Sequence, residues 1–527
     1  GGEAAVADLG GSVVTGTDGN PISLMATQID APLHKIAGEV SLYHPDGTEI
    51  DKEMDDHMSS HFDDLLESCK EAADALGPKA SALSLGAALR AMWADSELAK
   101  RGDPTLQAMF NWHVANIEFA NANSINELSL TEWDQDDEYE LQGEHAWVAG
   151  GNVRLIQGLV KDLNIMYKAP VERIAYDDSG VTVSTATHEL QADAVLVTVP
   201  LGVLKRGAIA FDPPLPAAKQ DVIQRLGFGV LNKVVLLFPS AFWGDTDMFG
   251  RLVDPGTSHG LYYLVYSYNA ISGGAVLTAL AAGEAALEVE RRPEAEVVAE
   301  VVGALRRMYA KQGVSVPEPL DSTVTRWGSD PMAYGSYSSM AVGTHGRDYQ
   351  VLAQPVGRVF FAGEATTHKY PATMHGAFHS GLREAANIAA TLDTMPPPEQ
   401  LQECGALSVA ELAQQAAGLQ QLFAGPLDVE FGCCAALYAP AGSALAEYAL
   451  LRVEAPLGGR VGCGEPTVPL YAAATRAQVA AARAARGGDA GRLAVLRGVL
   501  LGRAGLGRIG TQLVQQLLAA RKAKAAA

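Results

Sequence analysis

The sequence predicts an α/β fold, and three observations carry that expectation. Arg358–Ala362 (RVFFA) is a short run rich in Val and Phe, the composition of a buried parallel strand, and Gly363 and Glu364 end it. After Pro371 the apolar residues fall at Met374, Phe378, Leu382, Ala385 and Ile388, a helical spacing with one buried face. The chain has 527 residues, enough for two or three domains with sizeable cores. Strand, glycine turn and helix in succession aim backbone N–H groups and the positive end of a helix dipole at an anionic ligand. An ordinary βα unit has the same outline.

Taken in order, Asp30–Leu76 alternates turns with a helical stretch, HMSSHFDDLLESCKEAADAL. Ser81–Trp93 and Pro104–Phe119 read as two further helices, joined by the polar ADSELAKRGD. Trp133–Glu140 follows with no helical period, and five of its eight residues are acidic. Such a run is either a solvated loop or a wall that attracts Lys and Arg. Residues 153–200 read as a helix and then strand pairs, with Ala194–Val199 as an apolar strand. Leu231–Phe238 is an apolar strand interrupted by Lys233. A lysine there either snorkels from the strand end or is buried for a functional reason. Gly273–Ala286 and Glu294–Gln312 resemble strand then helix.

Charge and composition narrow the function classes. The net charge is −22, but residues 1–395 hold −25 and Pro396–Ala527 hold +3. An acidic surface of this strength argues against direct nucleic-acid binding by the first part and suits a cationic partner, although solubility alone also explains acidity. No run is apolar and long enough to span a bilayer, and the N-terminus does not read as a signal peptide. Cys69 stands alone in the first 395 residues, and Cys404, Cys433, Cys434 and Cys463 form neither a disulfide framework nor a zinc spacing. The reading is a reducing compartment and no metal. Pro396–Ala527 is Ala- and Gly-rich, expected to be a linker plus a loosely ordered basic tail, with helices at Ser408–Phe423 and Ala472–Arg486. Only this tail, +9 from Pro456 onward, offers nucleic acid a basic surface, without any recognisable motif. Gly505–Gly510 matches G-x-G-x-x-G, but the chain ends 17 residues later, before a second strand or ribose-binding acid could follow.

AGE, a short gap and YPATMHGAFHSGLREA closely resemble the last cofactor-binding segment of the flavin-dependent amine oxidases, and within them the lysine-specific histone demethylases. LGFGVLNKVVLLF (226–238), TVPLGVLKRG (198–207), ANIEFANANSINELSLTEWDQDDEYELQGEH (115–145) and ADLGGSVVTGTDGNP (7–21) extend the likeness in order over roughly residues 1–395. The fold this resemblance implies is an FAD-binding Rossmann-like domain (about 1–36, 140–229 and 346–395) interleaved with a substrate domain of mixed sheet plus helices (about 37–139 and 230–345). Such enzymes open with a strand, a G-x-G-x-x-G turn and a ribose-binding acid, which the sequence does not place ahead of Ala7. The expectation is that residues 1–527 alone hold FAD weakly.

The resemblance also implies roles. Ser12, Val13, Val171, Trp327, Glu364, Thr373 and Met374 match positions that meet FAD, with Val171 at the adenine end. Lys233 matches a lysine bridged by one water to the reactive flavin nitrogen. Tyr337 and Thr373 flank the substrate amine, a half-open cage where polyamine and monoamine oxidases often set two aromatic rings. Ser336 stands where monoamine oxidases carry a flavin-linked Cys, so the FAD is expected to be non-covalent. Asp134, Asp136 and Asp137 match an acidic wall for a basic histone tail, and Thr15, Phe119, Asn121 and His145 match neighbouring substrate contacts. The implied activity is oxidative demethylation of mono- and dimethyl-lysine on histone tails in the nucleus, with formaldehyde and hydrogen peroxide as products. The alternatives are a polyamine oxidase or an inactive chromatin scaffold. The coiled-coil arm by which some such demethylases dock a corepressor is replaced by ADSELAKRGD.

Overall fold

The computed structural model describes residues 5–38, 40–161 and 163–393, together with strands at Leu419–Asp428, Cys433–Pro440, Tyr448–Pro456 and Thr467–Thr475. Two compact units result, Gly1–Glu384 and Ala385–Ala527.

The largest sheet of the first unit has six strands, in the order Asp321–Val324, Asn232–Phe238, Ala275–Ala281, Leu261–Ser267, Met248–Arg251 and Ser41–Tyr43. All neighbours are antiparallel except the last pair, where Ser41–Tyr43 joins Met248–Arg251 in parallel. That pairing brings Ser41–Tyr43 and Met248–Arg251, distant in sequence, into one sheet. Leu261–Ser267 (LYYLVYS) is buried along its whole length, as a β-branched and aromatic strand covered on both faces should be. Helix Glu294–Ala310 lays Val297, Val301, Leu305 and Met308 against one face of the sheet, at helical spacing.

A second core lies between the helices Lys52–Leu76, Leu85–Asp95 and Pro104–Asn121, where Met58, Phe62, Leu89, Met109 and Phe110 meet. Asp51 caps the longest of these, accepting from the N–H of Glu53 and Met54, and Gly77 at φ 57° ends it. Cys69 is buried in this core, where burial pushes its thiol up to about 11. It therefore packs as a small apolar group.

Val359–Phe361 pairs in parallel with Val195–Val197, as the composition of both runs requires. A four-stranded sheet, Glu189–Ala192, Val181–Thr185, Val171–Tyr176 and Ala210–Asp212, follows the helix Val153–Val160. Val153 and Ile156 on that helix, and Leu163 and Tyr167 after it, are exposed. The final helix of the unit, Met374–Asp393, begins where the sequence predicts. Its docking follows the expected apolar stripe only in part: Leu382 is buried, Met374, Phe378, Ala385 and Ile388 are half-buried, and the deeply buried positions include His375, Ser380 and Glu384. Polar ties explain this. Ser380 Oγ accepts from the Gly363 N–H at 2.8 Å, and Arg383 reaches the carbonyls of Phe361 and Thr366 at 3.1 and 2.8 Å.

In the second unit the four strands form an antiparallel sheet in sequence order. This corrects the helices expected over 408–423 and 472–486, since 419–423 and 472–475 are strand. Ladder pairing between successive segments overrides the helical preference of Ala-rich sequence. The Gly505–Gly510 motif and most of the basic tail lie outside the described residues. Among the described residues no helix is long and apolar enough to cross a membrane, and no group of His, Cys, Asp and Glu could hold a metal ion.

Candidate active site

A cavity of about 890 Å³ lies in the first unit, within the size range of small-molecule pockets. The turn at Leu9–Val13 lines one side. Gly10 and Gly11 there let other groups approach: a Cβ on Gly10 would stand 3.7 Å from the Trp327 ring, and one on Gly11 would stand 3.3 Å from Met374 Cγ. Trp327 Nε1 donates to the Leu9 carbonyl at 3.1 Å. Asn152 Nδ2 donates to the Gly11 carbonyl at 2.7 Å, while its buried Oδ1 has no partner.

Lys233 enters from the six-stranded sheet and is buried. Its ammonium donates to the carbonyls of Asp8 and Gly10 at 2.9 and 2.6 Å and to Ser12 Oγ at 3.3 Å. Burial lowers its pKa to about 8, against the nearby Asp8 carboxylate, which favours the charge. The lysine stands at the start of its strand but is buried rather than snorkelling to water. Tyr337 closes the neighbouring wall, its hydroxyl donating to the Phe119 carbonyl, and burial raises its pKa far above neutrality. Thr373 faces the cavity from the start of the last helix. Its Oγ1 donates to the Tyr370 carbonyl at 2.9 Å and accepts from the Gly376 N–H at 2.9 Å, capping the helix.

The acidic run is folded into successive tight turns: the N–H groups of Gln135, Asp137 and Tyr139 donate to the carbonyls of Glu132, Asp134 and Asp136. Asp136, Asp137 and Glu140 line the cavity. Burial, aided by Asp137 and Asp134, raises Asp136 to about 6, and burial also raises Asp134 and Asp137. Carboxylates held together in this way are stabilised in their charged form by a positive charge placed beside them. His145 also lines the cavity, and its Nδ1 accepts from the Gly16 N–H at 3.0 Å, which leaves the proton of the neutral ring on Nε2.

Of the residues singled out in the sequence, Ser12, Val13, Lys233, Trp327, Tyr337, Thr373 and Met374 line the cavity. Thr15, Phe119, Asn121, Asp136, Asp137 and His145 line it as well. Asp134, Val171 and Glu364 do not line it. Glu364 stands behind the wall, its buried carboxylate accepting from Ser338 N, Ser338 Oγ and Ala372 N at 3.2, 2.6 and 2.7 Å. It thereby fixes two lining segments, and burial raises its pKa. Sequence reasoning missed Asp8, Asn152, Tyr349 and Lys369. The first two act through local contacts with the Gly10–Gly11 turn, and the last two carry no pattern that separates them from ordinary helix or surface positions.

The architecture is that of an amine oxidase. The cyclohexylamine oxidase of Brevibacterium oxydans IH-35A superposes with a TM-score of 0.58 at 20% identity over 73% of this chain and 88% of that one. A putrescine oxidase variant gives a TM-score of 0.55 at 19% identity over 72% and 88%. At such identities the likeness speaks for the fold. Residues 2–389 match the family described as flavin containing amine oxidoreductase, and the chain belongs to it. Among its relatives, Lysine-specific histone demethylase 1 homolog 3 of Oryza sativa subsp. japonica is 45% identical over 464 residues, 87% of this chain and 56% of the rice protein. Protein FLOWERING LOCUS D of Arabidopsis thaliana is 48% identical over 390 residues, 73% of this chain and 49% of that protein. The chain thus spans about half the length of these relatives.

The cofactor of this family is a flavin, FAD. The residues present fit such a group: the Leu9–Val13 turn, Trp327 and Met374 line one cavity, and Asn152, which bonds the Gly11 carbonyl of that turn, has a buried Oδ1 without a partner.

Proposed function

We propose that this protein carries out FAD-dependent oxidative demethylation of mono- and dimethyl-lysine on histone tails in the nucleus. The observation that carries the reading is the union, in one cavity, of the acidic wall with the Lys233, Trp327 and Tyr337 group. The names of the relatives, lysine-specific histone demethylase 1 homologs, support it from outside the geometry. Bound FAD would supply the oxidising power for removal of hydride from the N-methyl carbon, with dioxygen as the final electron acceptor and hydrogen peroxide as its product.

The chain's own residues do the rest. Asp136, Asp137 and Glu140 draw in the basic peptide and fix its orientation by charge-assisted hydrogen bonds. Tyr337 and Thr373 bound the space for the methylated amine. The substrate imine is hydrolysed by water to formaldehyde and the shortened amine, so one methyl carbon leaves per dioxygen reduced. Lys233, still largely protonated at neutral pH with a pKa of about 8, presents an ammonium beside the Gly10–Ser12 turn and can orient a water at the reacting centre.

A second reading, polyamine oxidation, draws on the same acidic wall, which attracts any polycation. Purified, flavin-loaded protein should release formaldehyde from a dimethyl-lysine histone peptide and leave spermine unoxidised. Spermine oxidation without peptide turnover would replace the first reading by the second. A flavin-free spectrum with neither activity would leave a non-catalytic chromatin protein.

A further inference from the structure

The cavity mouth carries a cation that the acidic wall does not neutralise. The lining includes two lysines and no arginine, and burial lowers the pKa of the lining His375 to about 4, so it is neutral near pH 7. Lys233 spends its donors on the Asp8 and Gly10 carbonyls and on Ser12. Lys369 is exposed, and its ammonium sits 4.9 Å from the centre of the Tyr139 ring. Among the described residues it makes no ion pair, although Asp136, Asp137 and Glu140 line the same cavity.

This placement is held rather than loose. Tyr139 meets His368 edge-on at 5.8 Å, and the His368 carbonyl accepts from Gln135 Nε2 at 2.7 Å. Gln135 precedes Asp136 in the acidic turns, so the loop that bears the carboxylates also docks the segment that bears Lys369. A ring face attracts an ammonium without cancelling its charge. The mouth therefore presents an ammonium that makes no ion pair among the described residues, beside the carboxylates of the acidic turns.

We propose that Lys369 is a specificity-determining residue that receives an oxyanion, a side-chain carboxylate or a phosphate, carried on the same peptide as the methylated amine. The inference rests on the demethylase reading. A polyamine matches only the carboxylates and is repelled by Lys369, whereas a peptide that carries an oxyanion as well as the amine also supplies a partner for Lys369.

The test uses flavin-loaded protein, the variants Lys369→Met and Lys369→Arg, and three kinds of probe. These are spermine, a basic dimethyl-lysine peptide, and that peptide with glutamate or phosphoserine at each position within about four residues of the lysine, a scan whose scale is set by extended-chain reach. Lys369→Met should weaken the oxyanion-bearing peptide at one or two positions by about two- to fivefold, the scale of one exposed ion pair. It should tighten spermine and the unmodified basic peptide, because a like charge has gone. Lys369→Arg should restore the wild-type order. The glutamate and phosphoserine arms distinguish the two sources of the oxyanion. A purely structural role through Tyr139 would weaken all probes alike and overturn the proposal. Equal affinity of peptides with and without the oxyanion at every position overturns it too. Loss of all peptide binding with spermine turnover retained overturns the demethylase reading on which it rests.

Discussion

Asp136→Asn tests whether the acidic turns are a receptor or a solvated loop. Burial, the largest cause, raises the Asp136 carboxyl to about 6. At pH 7.5 the group is almost wholly ionised, and at pH 5 only about a tenth of it is. A hydrogen bond to a charged group contributes about 1.5–3 kcal/mol. Asp136 is half-buried, so screening favours the lower end, and about 1.5 kcal/mol is about tenfold in Kd. The assay is fluorescence anisotropy with a basic, histidine-free methyl-lysine peptide across pH 5–7.5 at fixed ionic strength. The wild type should weaken by about tenfold on acidification. Asp136→Asn should start about tenfold weaker at pH 7.5 and converge with the wild type at pH 5. A residual slope belongs to Asp134 and Asp137, whose carboxyls burial also raises. The stability sign runs the other way. The folded-state pKa lies above the unfolded one, so the folded protein binds the extra proton between the ordinary carboxylate value of 3.8 and about 6, and stability falls as pH rises through that window. Asp136→Asn should therefore melt higher than the wild type at pH 7.5 and not at pH 3. Parallel pH profiles for variant and wild type would refute the receptor.

Three further outcomes are expected. Lys233→Met should slow anaerobic flavin reduction by a methyl-lysine peptide far more than it weakens peptide binding, because the ammonium is held at the Gly10–Ser12 turn and bonds none of the acidic-run carboxylates. It should also cost about 1–3 kcal/mol of stability through the acceptors it leaves, and an unchanged reduction rate would remove Lys233 from the mechanism. Formaldehyde release should be seen with mono- and dimethyl-lysine peptides and not with trimethyl-lysine, whose nitrogen has no lone pair to form an imine; product from the trimethyl peptide defeats this chemistry. In Gly376→Ala a Cβ would lie 1.8 Å from the Tyr370 carbonyl oxygen. The Tyr370–Thr373 segment must shift, with a loss of about 1–3 kcal/mol and weaker peptide binding; a variant with wild-type melting temperature and affinity contradicts the close packing.

Elements whose signal is local were legible in the sequence. Val359–Phe361 and Met374–Asp393 follow from a β-rich run, a glycine stop and a 3.6-residue period. The acidic turns were legible as a charge run, but that Asp136 and Asp137 face the cavity while Asp134 does not depends on turns set by backbone hydrogen bonds. The burial of His375, Ser380 and Glu384 was invisible, because a polar residue on the apparent outer face gives no sign of its distant partner. The 419–428 and 467–475 strands were misread for a related reason: Ala-rich segments favour helix in isolation, and only neighbouring segments decide for a ladder. Lys369 was passed over because its meaning lies in what it fails to pair with.

Lys233 shows how a resemblance and a geometry limit each other. The resemblance implies an ammonium that holds a water at the flavin. An ammonium has three protons, and here all three point at protein oxygens, two of them carbonyls of the Asp8–Gly10 stretch. The two roles are compatible only if one bond is given up. The bond to Ser12 Oγ, at 3.3 Å, is the longest and the one to a rotatable hydroxyl. The bonds at 2.6 and 2.9 Å are to carbonyls fixed by the turn that cradles the ring. Exchanging Ser12 Oγ for a water keeps the lysine charged and keeps the turn tied to the six-stranded sheet. Under the proposed function Lys233 would then join two tasks: it would hold the Gly10–Ser12 turn in place for the flavin, and with its remaining proton it would order a water beside it. This explains why a charge is retained in a strand where burial lowers its pKa to about 8. An apolar residue of the same length would pack as well but could neither hold the carbonyls of the turn nor place a donor at the reacting centre.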